Sequence, residues 1–258
     1  MDKSKDTLDR RTNDFARRSF RDTADRDYIA ARLACRAELM PQFLWSAQQA
    51  FEKYFKYILL VNRIPARVGH NLLQALKLTE QLPFKIELLP ESLKFIQHVA
   101  SYGEYRYLDV SYFVEGYLLL DLDMAVWDIR RYCQILDVRG KKLPASEQRM
   151  IEEATVMLKT SKKQPPHEFR INGGFLEEVL AKKEHPAREA LIWQNAFFST
   201  RARKRVKIKD HLQAANSPLY LYPDMLDELL KYVYIPTELR PGYRQHLAEV
   251  LADPSKRP

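Results

Sequence analysis

The sequence contains little glycine and little cysteine. Seven of its 258 residues are glycine, and few stretches alternate apolar with polar residues as half-buried strands do. Both features predict a mainly α-helical protein. The two cysteines, Cys35 and Cys133, lie far apart on predicted helices, and the chain has no CxxC pair. We therefore expect buried thiols in a reducing compartment, with no metal site and no cofactor.

Long apolar runs are missing as well. No stretch approaches the roughly 20 apolar residues that a helix needs to cross a bilayer. The first 18 residues are charged and lack the apolar centre of a secretory signal. We expect a cytoplasmic protein that does not contact a membrane.

The charge balance is positive. There are 42 lysines and arginines against 34 aspartates and glutamates, which gives a formal net charge of +8. A basic surface attracts RNA, DNA or an acidic protein, and the balance alone does not choose among them. Hydrophobic residues make up 46% of the chain, which suffices for one large domain or a domain with an extension.

Two adjacent helices are predicted over residues 24–39 and 41–62. The first carries small alanine side chains that let another helix approach closely. The second has an apolar face at three- and four-residue spacing, with charged residues opposite. This face consists of Leu44, Ala47, Phe51, Tyr54, Phe55, Ile58 and Leu59. The pair is the expected centre of a helical bundle.

The rest of the chain predicts further helices. A helix over 90–102 is followed by a long one over 112–136 that has two neighbouring apolar stripes. Arg130 and Arg131 fall late on it, where the helix dipole favours cations. We expect a polar N-terminal arm over 1–22, a bundle over 23–140 and a mostly helical extension over 141–258. Short strands at 206–209 and 219–222 would form a β-hairpin in that extension.

Several motifs follow one another along the first half. Ala47, Gln48 and Ala50 precede Glu52-Lys53-Tyr54-x-Lys56-x-x-Leu59-Leu60, and a basic loop then leads to Gly69-His70-x-Leu72. Arg106-Tyr107-Leu108-Asp109 stands before the last long helix of this half. In this order the motifs resemble the HEPN superfamily over about residues 24–136.

The resemblance implies an all-α bundle of four to five helices that usually forms a dimer. Many members act in prokaryotic toxin–antitoxin or defence systems, either as metal-independent RNases or as non-catalytic partners of small nucleotidyltransferases. The RNases use an arginine and a histidine about four to six residues apart near the start of the last bundle helix. No histidine follows Arg106 at that spacing, so we expect a non-catalytic role in binding RNA or a protein partner within such a system.

Arginine–histidine spacings close to this one also occur elsewhere, at a frequency that chance explains. They are Arg63 with His70, Arg205 with His211, and Arg240 with His246. Arg205 and His211 are the best candidates for a displaced catalytic pair. An RNase of that kind is the first alternative function, and a module that binds only an acidic protein is the second.

The candidate binding residues concentrate in one basic segment. Residues 201–209 contain six cations, namely Arg201, Arg203, Lys204, Arg205, Lys207 and Lys209. They fit phosphate contacts, or they protect an edge strand from aggregation. Arg106 either binds a phosphate or base beside its neighbouring tyrosines or pairs with Glu104 or Asp109. His70 either acts on a ligand or caps the helix that it opens.

Overall fold

The computed structural model describes residues 3–102, 111–136, 145–203, 205–207, 209–253 and 255. Its fold is mainly helical, which confirms the predicted fold class. The helices are α1 (Lys3–Ala16), α2 (Asp22–Arg36), α3 (Met40–Val61), α4 (Leu72–Leu78), α5 (Pro90–Tyr102), α6 (Leu118–Arg130), α7 (Ala145–Thr160), α8 (Phe175–Ala181), α9 (Arg188–Ile192), α10 (Pro218–Leu221), α11 (Leu226–Leu229) and α12 (Arg240–Ala252). The strands are β1 (Tyr112–Gly116) and β2 (His211–Ala215), and 3-10 turns lie at Thr79–Gln81, Ser161–Lys163, Pro166–Glu168 and Pro223–Met225.

α1 occupies the segment that was expected to be a polar arm. A π-helical turn over Arg17–Arg21 joins it to α2, so helical structure runs from Lys3 to Arg36. Arg63, just after α3, donates hydrogen bonds to Asp9 Oδ1 at 3.0 Å and to Asn13 Oδ1 at 2.9 Å. These bonds fasten α1 to the bundle. The domain boundaries at 22 and 140 stay predictions.

α3 lies at the centre of the bundle. It packs against α1, α2, α5 and α6, and its predicted apolar face is buried, including Phe51, Tyr54 and Ile58. α2 contributes the buried alanines Ala24, Ala31 and Ala34. Because these side chains are small, α2 and α3 can lie close along most of their length.

The predicted long helix over 112–136 is partly wrong. Tyr112–Gly116 is a strand, and the helix spans only Leu118–Arg130. Gly116 has a φ of +92°, a backbone angle that glycine adopts without strain and that ends the strand before the helix. The aromatic and β-branched residues Tyr112, Phe113 and Val114 suit a strand, but the strand forms because a partner is present.

That partner is β2, which also differs from the predicted hairpin. β2 pairs antiparallel with β1, in a register that places Tyr112 opposite Ala215 and Gly116 opposite His211. Val206, Lys207 and Lys209 are not in the strand, and Leu219–Leu221 are helical. The sheet therefore joins two distant parts of the chain instead of forming a local hairpin.

The chain beyond α7 completes the core of the bundle. α8 and α9 pack on α2, and Leu176, Val179, Leu191 and Phe198 belong to the same buried cluster as the bundle residues. Farther on, Leu219, Leu226 and Ile235 form a separate small cluster. Along the described parts of the chain, no helix combines the length and apolar character that crossing a membrane requires.

Candidate functional site

A groove opens on the surface where the bundle meets the basic segment. Its enclosed space is about 70 Å³, and the volume rises to about 520 Å³ when open solvent is included. Its walls come from the end of α2, the start of α6, the residues after α9 and the chain that leads into β2. The lining residues are Cys35, Arg36, Glu38, Leu119, Leu120, Trp193, Gln194, Val206, Lys207, Lys209 and His211.

Two kinds of contact hold the basic segment in place beside the groove. The pairing of β2 with β1 fixes the position of His211 opposite Gly116. Upstream, the backbone N–H of Lys207 donates to Gln194 Oε1 at 2.8 Å, and the Arg203 guanidinium donates to the Ile192 carbonyl. The segment is therefore fastened to both walls, and its side chains are presented beside the groove.

His211 is the most unusual group of the site. Its side chain lines the groove with only 9% of the residue exposed. Its Nδ1 is buried and has no hydrogen-bond partner among the residues that the structure describes. A buried polar atom without a partner is destabilising by about 1–3 kcal/mol, and because this atom is closed to solvent, a ligand in the groove can reach it only if the imidazole ring turns.

The cations of the groove form exposed contacts. Arg36 pairs with Glu189 Oε1 at 3.0 Å, and its guanidinium lies 4.7 Å from the centre of the Trp193 ring. Lys209 pairs with Glu38, and this hydrogen bond, with the lysine charge, lowers the pKa of the Glu38 carboxyl. Exposed ion pairs contribute little to stability. A phosphate can therefore replace these carboxylates with little loss of folding free energy.

Cys35 also lines the groove, and it is not a nucleophile. Burial raises the pKa of its thiol to about 12, and the nearby Asp123 carboxylate adds to that effect. The thiolate is the reactive form of cysteine, so at neutral pH this side chain is a small apolar part of the wall.

The structure brings together only some of the predicted site residues. Lys207, Lys209 and His211 line the groove, whereas the exposed Arg201, Arg203 and Arg205 belong to the same segment without lining it. The proposed pair of Arg205 with His211 is therefore split between the segment and the groove. Arg106 and Lys204 lie outside the described residues.

His70 does not line the groove, and it does not cap the helix that follows it. Asn71 is the N-cap of α4, because its side chain accepts from the Gln74 N–H at 2.8 Å. His70 Nδ1 instead contacts Glu52 Oε2 at 3.1 Å, and Lys56 Nζ reaches Glu52 Oε1 at 2.5 Å. The histidine is thus part of a surface contact between α3 and the loop before α4.

No pattern in the sequence indicates Arg36, Trp193 or Gln194 as groove residues. They come from the end of α2 and from the turn after α9, which are far apart in the chain. One local signal exists. A tryptophan at the end of a short helix, close to six cations, is consistent with an exposed binding surface, although it does not say which arginine covers it.

A second set of charged groups is almost completely buried, and we call it the buried junction. It joins α2 and α6 to residues 171–195 and consists of Asp25, Arg130, Glu177, Arg32 and Asp123. Arg130 bonds to both oxygens of Asp25 at 2.8 and 2.9 Å and to both oxygens of Glu177 at 2.8 and 2.7 Å. The guanidinium of Arg130 is therefore held by two carboxylates at once.

The remaining groups of the buried junction are partnered as well. Tyr54 donates to Asp25 at 2.7 Å. Arg32 bonds to Asp123 and to the carbonyls of Ala190 and Trp193. Burial alone would raise the pKa of Glu177, but the charge and hydrogen bonds of Arg130 outweigh it and lower that pKa. These groups therefore stabilise the fold, and few of their hydrogen-bonding atoms are available to a ligand.

Comparison with known proteins identifies the class of domain. Residues 18–133 match the family model of the HEPN domain. The structure agrees, because these residues contain α2, α3, α5 and α6 around one core. No curated protein and no solved structure matches the chain significantly.

Residues 18–133 therefore form a HEPN domain, as the motifs predicted. Six of the eleven groove-lining residues, from Trp193 to His211, lie beyond the matched region. The groove is thus built jointly by the HEPN domain and the extension.

Proposed function

We propose that this HEPN-domain protein binds RNA without cleaving it, through the basic segment and the groove beside it. The observation that carries the proposal is the exposed row of cations along residues 201–209, which the structure fastens next to an open groove. In the described part of this segment, Arg201, Arg205 and Lys207 form no ion pair. Their charges are available to phosphates.

The physical basis of the proposal is phosphate binding. Lysine and arginine that neutralise RNA phosphates release condensed counterions, which makes binding favourable and dependent on salt. The chain also carries a formal net charge of +8, so its long-range field attracts a polyanion. Such contacts give affinity without choosing a sequence.

A non-catalytic role is supported by the chemistry of the groove. The arginine–histidine spacing of the HEPN RNases is missing after Arg106, Arg205 does not line the groove beside His211, and the Cys35 thiol is protonated at neutral pH. The resemblance further supports a homodimer through the bundle, a nucleotidyltransferase-type protein partner and a toxin–antitoxin or defence setting. These remain parts of the proposal.

One observation favours the alternative of a metal-independent RNase. His211 has a ring nitrogen without a hydrogen-bond partner in the described part of the chain, and Arg36 lines the same groove. RNA cleavage without a metal needs a proton acceptor and a cation at the scissile phosphate, and histidine with arginine meets that need. His211→Ala separates the two functions, because it abolishes cleavage in an RNase and leaves intact RNA bound in our proposal.

The experiment incubates the purified protein with labelled structured RNA in EDTA and compares denaturing with native gels. We expect intact RNA and a salt-sensitive shift. The double variant Lys207→Ala with Lys209→Ala should weaken binding about tenfold and reduce the slope of log K against log salt by about 1.5. Lys182→Ala with Lys183→Ala is the matched control, because Lys182 is as exposed as Lys209 and also paired with a glutamate.

Three results would decide against the proposal. Fragments that disappear with His211→Ala would establish an RNase. Equal losses from the two double variants would mean that net charge matters and the segment does not. No shift at low salt would leave the second alternative, in which the basic surface captures an acidic protein.

A further inference from the structure

We propose that Asn172 is a site of spontaneous deamidation, which converts it to aspartate or isoaspartate beside the buried junction. Asparagine is among the chemically labile side chains of proteins, and the residue that follows it here is a glycine, Gly173. The co-reactants are water and hydroxide, and the reaction needs no enzyme. The proposal does not depend on RNA binding, because neither residue lines the groove.

Asn172 and Gly173 are the two central residues of a tight turn. The Gly174 N–H donates to the Ile171 carbonyl at 3.2 Å, which closes the turn. Gly173 has a φ of +62°, whereas the φ of Asn172 is negative, and this combination is that of a type II turn. Both residues are exposed. Water and hydroxide can therefore reach the side-chain amide and the peptide group that follows it.

The two groups that react are not engaged elsewhere. Among the residues that the structure describes, neither the side-chain amide of Asn172 nor the backbone N–H of Gly173 has a hydrogen-bond partner. Because glycine has no Cβ, the peptide group can rotate and bring its nitrogen to the amide carbon with little steric resistance. A nucleophile that lies next to its target in the same chain also reacts far faster than one from solvent.

The reaction has two balanced steps. Hydroxide removes the proton of the Gly173 N–H, the nitrogen attacks Cγ of Asn172, and a C–N bond forms while the amide nitrogen leaves as ammonia. The product is a cyclic imide. Water then adds to one of its two carbonyl carbons and breaks one C–N bond. This gives aspartate with the original backbone, or isoaspartate with a backbone that runs through the side chain, and no atom is oxidised or reduced.

Asn216 provides an internal comparison, because it is also exposed and is followed by a small residue. The N–H of Ser217, however, donates to Ser111 Oγ at 2.9 Å, and Ser217 is fully buried. Attack at Asn216 therefore requires this hydrogen bond to break and a buried serine to move. Folding should protect Asn216 more strongly than Asn172.

The product changes contacts of the buried junction. Before Asn172, the Ile171 N–H donates to Glu177 Oε1 at 2.9 Å. After it, the Gly173 carbonyl accepts from the Arg21 guanidinium at 2.6 Å. Isoaspartate inserts a methylene group into the main chain between these two hydrogen bonds, and the added length displaces at least one of them. The contact between the extension and the start of α2 is thereby weakened.

The first test follows the purified full-length protein at mildly alkaline pH by peptide mapping with mass spectrometry. This method detects the replacement of NH₂ by OH and separates aspartate from isoaspartate. In the folded protein we expect Asn172 to react at least about tenfold faster than Asn216, because one extra hydrogen bond alone gives a factor of about this size. Unfolding in urea should accelerate Asn216 more than Asn172. Asn172→Gln should stop the reaction at this position, since its longer side chain closes a less favourable ring.

The second test compares melting temperatures before and after this incubation. The incubated wild-type protein should melt about 2–4 °C lower, the size of about one lost hydrogen bond in a chain of this length. Incubated Asn172→Gln protein should not change. Asn172→Asp introduces the charge with the original backbone, and freshly prepared it should melt no lower than fresh wild type.

Each contrary outcome overturns a defined part of the proposal. If Asn172 reacts no faster than Asn216 in the folded protein, or if folding protects the two sites equally, the turn shields Asn172 and the assignment of the site is wrong. If Asn172→Asp melts as low as incubated wild type, the charge and not the lengthened backbone weakens the junction. If incubated Asn172→Gln loses the same stability, the damage lies elsewhere in the chain.

Discussion

The buried junction and the groove both place arginines on or against α2, but the partners of these arginines differ. In the junction, Arg130 makes four hydrogen bonds to two carboxylates. In the groove, Arg36 makes one exposed ion pair and covers a tryptophan ring. The buried arginine has its hydrogen-bonding capacity taken up by protein carboxylates, whereas the exposed arginine can still bind a ligand.

This difference separates structural from functional charges. A buried ion needs all its partners, because losing one leaves an uncompensated charge away from water. An exposed ion can exchange its partner for a phosphate with little change in stability. The comparison therefore predicts that substitutions in the junction affect folding, and that substitutions at the groove affect binding.

Arg130→Met should give the largest loss of stability. It leaves Asp25 and Glu177 buried without their shared cation, and breaking a buried ion pair from one side typically lowers the free energy of unfolding by about 3–5 kcal/mol. Urea unfolding followed by circular dichroism measures the change. Arg149→Met is the control, because Arg149 forms an exposed pair with Glu153 at 2.9 Å and its loss should change stability by less than about 1 kcal/mol. Similar losses for the two variants would remove the distinction between buried and exposed charge.

Arg32 and Arg36 offer the sharpest comparison, since they lie one turn apart on α2. The Arg32 side chain is 1% exposed and bonds to Asp123 and two carbonyls, whereas that of Arg36 is 41% exposed. Arg32→Met should lower the free energy of unfolding by about 3 kcal/mol. Arg36→Met should leave it within about 1 kcal/mol and weaken RNA binding several-fold. Paired urea titrations and gel shifts measure both, and a stable Arg32→Met protein would show that the junction is not needed for folding.

The sequence predicted the centre of the fold better than the contacts between segments that are distant in the chain. The three- and four-residue spacing in residues 41–62 specified α3 and its buried face, because that information is local. The strand at Tyr112–Gly116 was missed because its partner, His211–Ala215, is distant in the chain. Arg130 was expected only to favour a helix end, and its burial by Asp25 and Glu177 depends on residues 171–177 folding back.

The candidate site was predictable in the same partial way. Composition located the basic segment, and the arginine–histidine spacing drew attention to His211. The groove required Arg36 and Trp193, which meet only after α9 packs on α2. The unpaired state of His211 Nδ1 is a property of packing, so no spacing of residues in the sequence could reveal it.

Glu177 makes the junction sensitive to acid. Its folded pKa is lowered because the charge and hydrogen bonds of Arg130 outweigh the effect of burial. The unfolded chain therefore binds this proton first as pH falls. The stabilisation is present above the ordinary glutamate pKa of about 4.3 and is lost as pH falls through the lower folded value.

Glu177→Gln should lower the free energy of unfolding by about 2 kcal/mol at neutral pH and flatten its decrease between about pH 5 and 3. Glu178→Gln is the neighbouring control. Its pKa is also lowered, by the hydrogen bond and charge of Lys182, but the group is exposed, so the pH profile should keep its shape. Stability curves at several pH values distinguish the two, and an unchanged profile for Glu177→Gln would mean that another carboxyl controls acid unfolding.

His70→Ala should have the smallest effect. The His70 side chain is 70% exposed, and the Glu52 carboxylate that it contacts keeps its hydrogen bond from Lys56 at 2.5 Å when the imidazole is removed. We expect a change of less than about 1 kcal/mol in the free energy of unfolding, and no change in RNA affinity, because His70 does not line the groove. A urea titration and a gel shift measure the two quantities. If RNA affinity fell severalfold while stability held, binding would extend to the loop before α4, and the groove would be only one part of a larger RNA surface.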